Sequence, residues 1–313
     1  MALTYDQATA ITTELVKEHI SENWAGSNPE FMFLKEKGRI MVGSGSFIKM
    51  PILSAQNGPG GAYGRYDILS TQPNDVATAV RLDYKYYYEH IFISHQELIE
   101  TSGRLAATNL MKMKVENAKI SLDDRLGTAI FSADADSAEG LSGLRQIVKA
   151  SGQSGNISAS DLAVWASDVD ASTATLTEAT MMQAYLDASV GSLGPDHIVT
   201  TKFVYKKYWD LIQGDQRFGQ GDKASLGFPH LLFNGVPVFH DSHCPGTSAT
   251  GDNHMFLLNS KFLYFYVHQN DNFVVEALPK PLTQNLRAQR ITAALAFGTN
   301  NRRMHSAFTV LNH

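Results

Sequence analysis

Apolar and polar positions alternate along one stretch near the first third of the chain. Val80, Leu82, Tyr84, Tyr86 and Tyr88 fall on one side of the period, and Arg81, Asp83, Lys85 and Glu89 on the other. That pattern predicts a long half-buried strand with these tyrosines facing inward. Upstream, Phe47-Ile48-Lys49-Met50-Pro51-Ile52-Leu53 reads as a partner strand, and Asn57-Gly58-Pro59-Gly60-Gly61-Ala62-Tyr63-Gly64 between them is built almost wholly of turn formers. Together they predict a long hairpin with a glycine-rich tip. Two strands alone are marginal in water, so the hairpin is expected to lie against something else.

Helical periods flank this arm. Thr4 with Gln7 is a capping-box spacing ahead of Ile11, Leu15 and Ile20, predicting a short helix to about Asn23 that Gly26-Ser27-Asn28-Pro29 ends. Phe31-Met32-Phe33-Leu34 follows as an apolar knot. Ser94 with Glu97 repeats the capping spacing and opens a helix expected from about His95 to Phe131, uninterrupted by proline. At 1.5 Å per residue it would span about 55 Å, with Gly103 the expected place for a bend.

A mixed unit comes next. Helices are expected near Thr177–Val190 and Thr201–Gln213, with a strand His197-Ile198-Val199 between them and a glycine-rich stretch Gln213–Gly227 after. Strands then dominate: Phe256-Leu257-Leu258, Phe262–Val267, Phe273-Val274-Val275, Ile291–Phe297 and Ala307–Leu311. The fold class is α+β.

Composition narrows the functional classes. The 313 residues are 43% hydrophobic but only 18% charged, below the roughly 25% usual for soluble domains, which suits a protein that covers its surface with neighbours. A net charge of −5 leaves no footprint for general nucleic-acid binding. The single cysteine, Cys244, excludes an intrachain disulfide and suits a reducing cytoplasm. The N-terminus lacks the basic flank and apolar core of a signal peptide, and no membrane-spanning run occurs.

Candidate chemistry is sparse. His240-Asp241-Ser242-His243-Cys244, with His254 beyond, contains transition-metal ligand types, and a metal-dependent hydrolase using His240, His243 and Cys244 is the enzymatic alternative. Strand-like and turn-like flanks spoil the spacing. Ser142 lacks a nucleophile-elbow frame, and no phosphate-binding loop occurs. Asp123-Asp124, Asp134/Asp136, Lys206-Lys207 and Arg302-Arg303 read as solvated faces or turns. No catalytic, cofactor or metal residue is assigned.

The order of elements carries more than any motif. With Gly45-Ser46-Phe47-Ile48-Lys49-Met50-Pro51-Ile52 entering the hairpin, Gly140-Leu141-Ser142-Gly143-Leu144 after the long helix, Asn234–Phe239 and the ending Ser306–Leu311, the chain resembles the major capsid protein of tailed bacteriophages, the Hong Kong 97-type fold. The resemblance implies an N-terminal arm (1–46), an extended loop lying over a neighbouring subunit (47–93), a peripheral domain with a spine helix (94–132 and 261–313) and an axial domain (133–260). It also implies self-assembly through pentamers and hexamers into an icosahedral shell around double-stranded DNA, in a virion assembled in the host cytoplasm. Partners would be a portal protein, a separate scaffolding protein and a decoration protein; no cofactor, covalent crosslink or membrane contact is expected. Lys49, Tyr63, Arg65, Tyr66, Arg81 and Lys85 of the loop are the expected intersubunit contacts. An encapsulin-type nanocompartment shell is the nearest alternative.

Overall fold

Pro29 stands at the first position of helix α1 (Pro29–Glu36), where a missing N–H costs nothing, and the helix buries Phe31, Phe33 and Leu34. The apolar knot of the sequence is therefore a helix. The computed structural model describes residues 28–55, 61–69, 76–100, 104–171, 176–213, 230–246, 253–279 and 285–311. The helix expected near Thr4–Asn23, the bend at Gly103 and most of the Gln213–Gly227 stretch lie outside them.

After α1 come strand β1 (Ile40–Gly43) and the hairpin, β2 (Phe47–Leu53) with β3 (Ala77–Asp83), in antiparallel register from Phe47 opposite Asp83 to Leu53 opposite Ala77. Strand β4 (Lys85–Ser94) does not continue the hairpin ladder. The alternation inverts at Tyr84: Val80, Leu82 and Tyr84 are buried, but Tyr86 and Tyr88 are 73% and 60% exposed, and Ile91 and Ile93 are the buried residues of β4. The expected inward tyrosine face is thus wrong at Tyr86 and Tyr88. Its cause is a change of sheet, because the chain leaves β2 at Asp83 and pairs from Lys85 onward with a late strand.

Ser94 and Glu97 do form the capping box: the Ser94 N–H donates to Glu97 Oε2 at 2.9 Å, and the Glu97 N–H to Ser94 Oγ at 3.1 Å. They open α2 (His95–Glu100), followed by the long helix α3 (Arg104–Ile130). Beyond these come the single turn α4 (Leu144–Ile147), the small pair β5 (Gln153–Ser154) and β6 (Ile157–Ser158), and β7 (Asp168–Asp170). Helix α5 (Glu178–Asp187) starts on a Thr177/Thr180 capping box; β8 (His197–Thr200) and α6 (Lys202–Gln213) follow. The remaining strands are β9 (Leu231–Phe233), β10 (Val236–His240), β11 (Asn253–Leu258), β12 (Leu263–His268), β13 (Val274–Ala277), β14 (Leu286–Thr299) and β15 (Ser306–Leu311).

Two main sheets result. One joins β1, β12, β14 and β13, with β4 on β14 from Lys85 opposite Leu295 to Ser94 opposite Leu286. The other runs β7-β15-β11-β8-β10-β9. A shared core lies between them: Val115, Leu122 and Leu126 of α3, Phe31 and Phe33 of α1, Ile291 and Leu295 of β14, and Val199, Phe239 and Phe256 of the second sheet. Helices α5 and α6 cover the second sheet's other side through Met181, Ala184, Val204 and Tyr208.

Two expectations are corrected here. Residues 306–311 do not join the sheet of the long helix; β15 pairs with β11 and β7, so the end of the chain belongs to the six-stranded sheet. Arg302 is not in a solvated turn but wholly buried, its guanidinium bonded to backbone carbonyls, whereas Arg303 is exposed. Among the described residues, no helix is long and apolar enough to cross a membrane.

Candidate assembly surface

The outer face of the first sheet is divided in two. Side chains at odd positions of β14, such as Ile291 and Leu295, point to the long helix, so the even positions face away. At one end Ala294 and Ala296 are covered by the hairpin base, Val80, Leu82 and Met50, together with Trp165. Gly298 makes this seating close: a Cβ there would stand 2.6 Å from either Cδ of Leu82. From Ala294 towards the other end, Tyr86, Tyr88 and Phe92 of β4, opposite Ala294, Thr292 and Ala288, are left exposed by the described residues. Their rings form a row through His90, with centroids 5.0 Å from Tyr88 to His90 and 5.2 Å from His90 to Phe92. Exposed aromatic rows of this kind are characteristic of interfaces.

The hairpin carries a second exposed apolar surface. Near its tip Tyr66 is 89% and Ile68 99% exposed, and Tyr63, Leu69 and Leu53 are exposed as well. A turn closed by the Gly64 N–H to Asp67 Oδ2 at 2.5 Å presents Arg65 and Tyr66. Between the tip-side half of the hairpin strands and the body lies a groove of about 740 Å³ lined by Pro51, Leu53, Val164, Val190, Leu193 and Met304 among others.

The expected contact residues divide by position. Tyr63, Arg65 and Tyr66 share the exposed tip. Lys49 and Arg81 are cross-strand partners whose cations lie 5.4 and 4.5 Å from the Phe47 ring, and Arg81 Nε also pairs with Asp83 at 2.8 Å. Lys85 is turned inward, donating to the carbonyls of Asp136 (2.7 Å) and Ala138. Tyr86, Tyr88 and Phe92 were missed. Their signal was four aromatic residues within seven, read in the wrong phase.

The histidine cluster is not a convergent site. His240 is exposed, its ring centroid 5.1 Å from that of Tyr205. Cys244 is buried with its thiol directed at the His254 carbonyl, 3.6 Å away, and burial pushes that thiol well up, away from the reactive thiolate. His243 lies between Asp241 and Asp124, at 3.1 and 3.2 Å. Among the described residues, no group of three or more His, Cys, Asp or Glu side chains is placed to hold a metal ion.

A second polar chain lies deeper. His197 is fully buried, with Nε2 3.2 Å from Glu30 Oε1 and Nδ1 2.6 Å from Asp196 Oδ1. These carboxylates outweigh desolvation and push its pKa up to about 9. Asp196 is held well below the usual carboxylate range by His197 and by hydrogen bonds from Ser260, against its own burial. The arrangement fastens α1 to β8 inside the body.

No protein-family model matches the sequence, and no curated protein matches it. Solved structures do. The chain is similar to the capsid of cyanophage A-1(L), at 18% identity and TM-score 0.64 over 88% of this chain and 90% of that one. It is similar to the capsid of the native GTA particle, at 10% identity and TM-score 0.61 over 90% of both. It is also similar to the holo-SrpI encapsulin of Synechococcus elongatus PCC 7942, at 7% identity and TM-score 0.59 over 87% and 84%. The fold is that of a shell protein. More particularly, the chain has the phage major capsid protein fold.

Proposed function

We propose that this chain is the structural shell subunit of a tailed-phage head, assembling with copies of itself around packaged double-stranded DNA and performing no catalysis. The observation that carries the reading is the placement of its two uncovered apolar surfaces. Leu82 of the hairpin sits at Gly298, whereas Lys85 opposes Leu295 and Ser94 opposes Leu286. The hairpin therefore runs past the Thr299 end of β14, and the row Tyr86–Phe92 runs towards the Leu286 end. Seven residues of β2 and β3 carry the tip roughly 24 Å further off at about 3.4 Å per residue. The hairpin tip and the Phe92 end of the row thus point away from each other in one subunit, and in this reading they meet between copies, in a head-to-tail contact of the kind that closes into rings.

In this assignment the extended loop is the hairpin part of 47–93, residues 47–83, the peripheral domain comprises 94–132 with the first sheet, β4 included, and the axial domain is 133–260 with β15 added. Tyr63, Arg65 and Tyr66 contact the next subunit, with Lys49 and Arg81 along the hairpin. A portal, scaffolding and decoration proteins are the further partners, and the virion is the location. Similarity to the SrpI encapsulin supports a second reading, a nanocompartment shell holding a protein cargo.

Negative-stain electron microscopy of the purified protein, beside size-exclusion chromatography, tests the reading. Closed shells or five- and six-membered rings are expected; a monomer at all concentrations, with or without a scaffolding protein, overturns it. Nuclease-protected DNA in shells from infected cells separates a phage head from a compartment, which would hold a protein instead.

A further inference from the structure

Three elements meet at one notch in the long helix α3. Gly127 leaves the notch: a Cβ there would collide with Asn28 Oδ1, at the start of α1, and would stand 2.7 Å from Nδ1 and Cε1 of His243, in the turn after β10. One helical turn earlier Asp124 presents Oδ1 to His243 Nε2 at 3.2 Å. On the ring's other side Asp241 Oδ1 lies 3.1 Å from Nδ1 and also accepts the His243 backbone N–H at 2.9 Å. Both ring nitrogens thus face carboxylate oxygens. Only the imidazolium satisfies such an arrangement, because a neutral ring has one N–H and turns a lone pair towards the other carboxylate.

We infer that His243 is a protonation-controlled latch between the long helix and the six-stranded sheet. Charged, it fastens Asp124 of α3 to Asp241 beyond β10; neutral, it frees the helix from that turn. The other doubly bridged histidine among the described residues, His197, is sealed between Glu30 and Asp196 and has no access to solvent. The His243 ring is slightly exposed, and its outer partner Asp124 is 77% exposed, so this bridge exchanges protons with the medium.

The charged groups around the latch come from each packed element. The long helix offers Asp124 and, one residue before it, the buried Asp123, whose carboxyl is pushed up to about 6 by burial, against the opposing charge of Lys119 a turn away. The turn offers Asp241. From α1, the Glu30 N–H approaches Asp241 Oδ2 at 3.5 Å while the Glu30 carboxylate is directed to His197. The hydrogen bond and charge of Asp241, with those of Asp124, raise His243 above its ordinary 6.5 against partial burial. A raised folded value means that the hold is complete below 6.5 and is lost as pH rises through the raised value. Asp123 titrates on the acid side of that window.

The latch rests on contacts within one chain and stands apart from the shell reading. Its test is amide hydrogen exchange on the full-length protein at about pH 6 and about pH 8.5, corrected for intrinsic exchange and followed in peptides covering 115–130 and 236–246. The wild type should lose protection in both segments at the higher pH, by roughly fivefold or more. His243→Gln should be equally unprotected at both values. Asp124→Asn, at an exposed position that does not threaten folding, should also abolish the response while leaving the rest of the exchange map unchanged. A wild type without a pH response in these segments, or an Asp124→Asn variant that keeps it, overturns the latch.

Discussion

Arg302 donates from Nε to the carbonyl of Ile147 at 2.7 Å, so a wholly buried cation is met by a backbone carbonyl 155 positions earlier. The rest of the guanidinium is used the same way, on the carbonyls of Gly152 and Trp165 at 3.2 Å and Lys149 at 3.0 Å. Burial lowers its pKa to about 10, so it stays charged at neutral pH. One cation thereby closes the whole segment 147–165 over the sheet's end. Arg302→Met removes the side-chain donor from the Ile147 and Trp165 carbonyls, while those of Lys149 and Gly152 keep the Ser167 and Ala159 N–H groups, and should cost about 2–4 kcal/mol, read as a lower midpoint in chemical denaturation. Arg302→Lys should recover only part, since three donors on a single nitrogen cannot span four acceptors.

The hairpin is seated by few side chains, and Leu82 is central among them. It is buried against Ala294, Ala296 and the Gly298 notch. Leu82→Ala should cost about 2–3 kcal/mol at most locally, because the body has its own larger core. Limited proteolysis should then cut within residues 53–77 faster than in the wild type while the remainder persists. Unchanged cleavage would show that the seat does not hold the arm.

His197 predicts an alkaline weakness. Its folded pKa is raised from 6.5 to about 9, so its contribution is complete below 6.5 and disappears as pH climbs through 9. For a coupled buried group the scale is of the order of 2–3 kcal/mol. Melting temperature should fall between about pH 7 and 9.5, and Glu30→Gln should lower the plateau and shift the fall to lower pH. A flat profile in the wild type would mean that α1 is held by packing alone.

Local signals were legible in the sequence wherever one element decides its own form. The Ser94/Glu97 box needs only four residues, and both of its bonds are present. The strands of the final third appear because each has its own apolar run. What could not be read is what depends on partners far along the chain. Asp83 ends one ladder and Lys85 begins another, and alternation says which residues share a face without saying where a strand changes sheets. Arg302 looked solvated because its acceptors are carbonyls about 140–155 positions earlier, to which a sequence pattern is blind. The apolar run at Phe31 is a helix because β12 supplies Phe265, its ring 5.5 Å away and edge-on.

The row on β4 gives the sharpest separation of stability from assembly. Tyr86 and Tyr88 are exposed, so Tyr86→Ser with Tyr88→Ser should alter subunit stability by no more than about 0.5 kcal/mol. Contact with a neighbour is repeated at every subunit, so even a modest loss per contact should suppress shells strongly. Tyr66→Ala at the hairpin tip should do the same. If tip and row face each other across one interface, the triple variant should be no worse than the double, because each partner is already lost. Sedimentation of assembled against free subunit measures all three. Wild-type shell yield from the Tyr86/Tyr88 variant would remove the row from the interface, and additive losses would place tip and row in separate contacts.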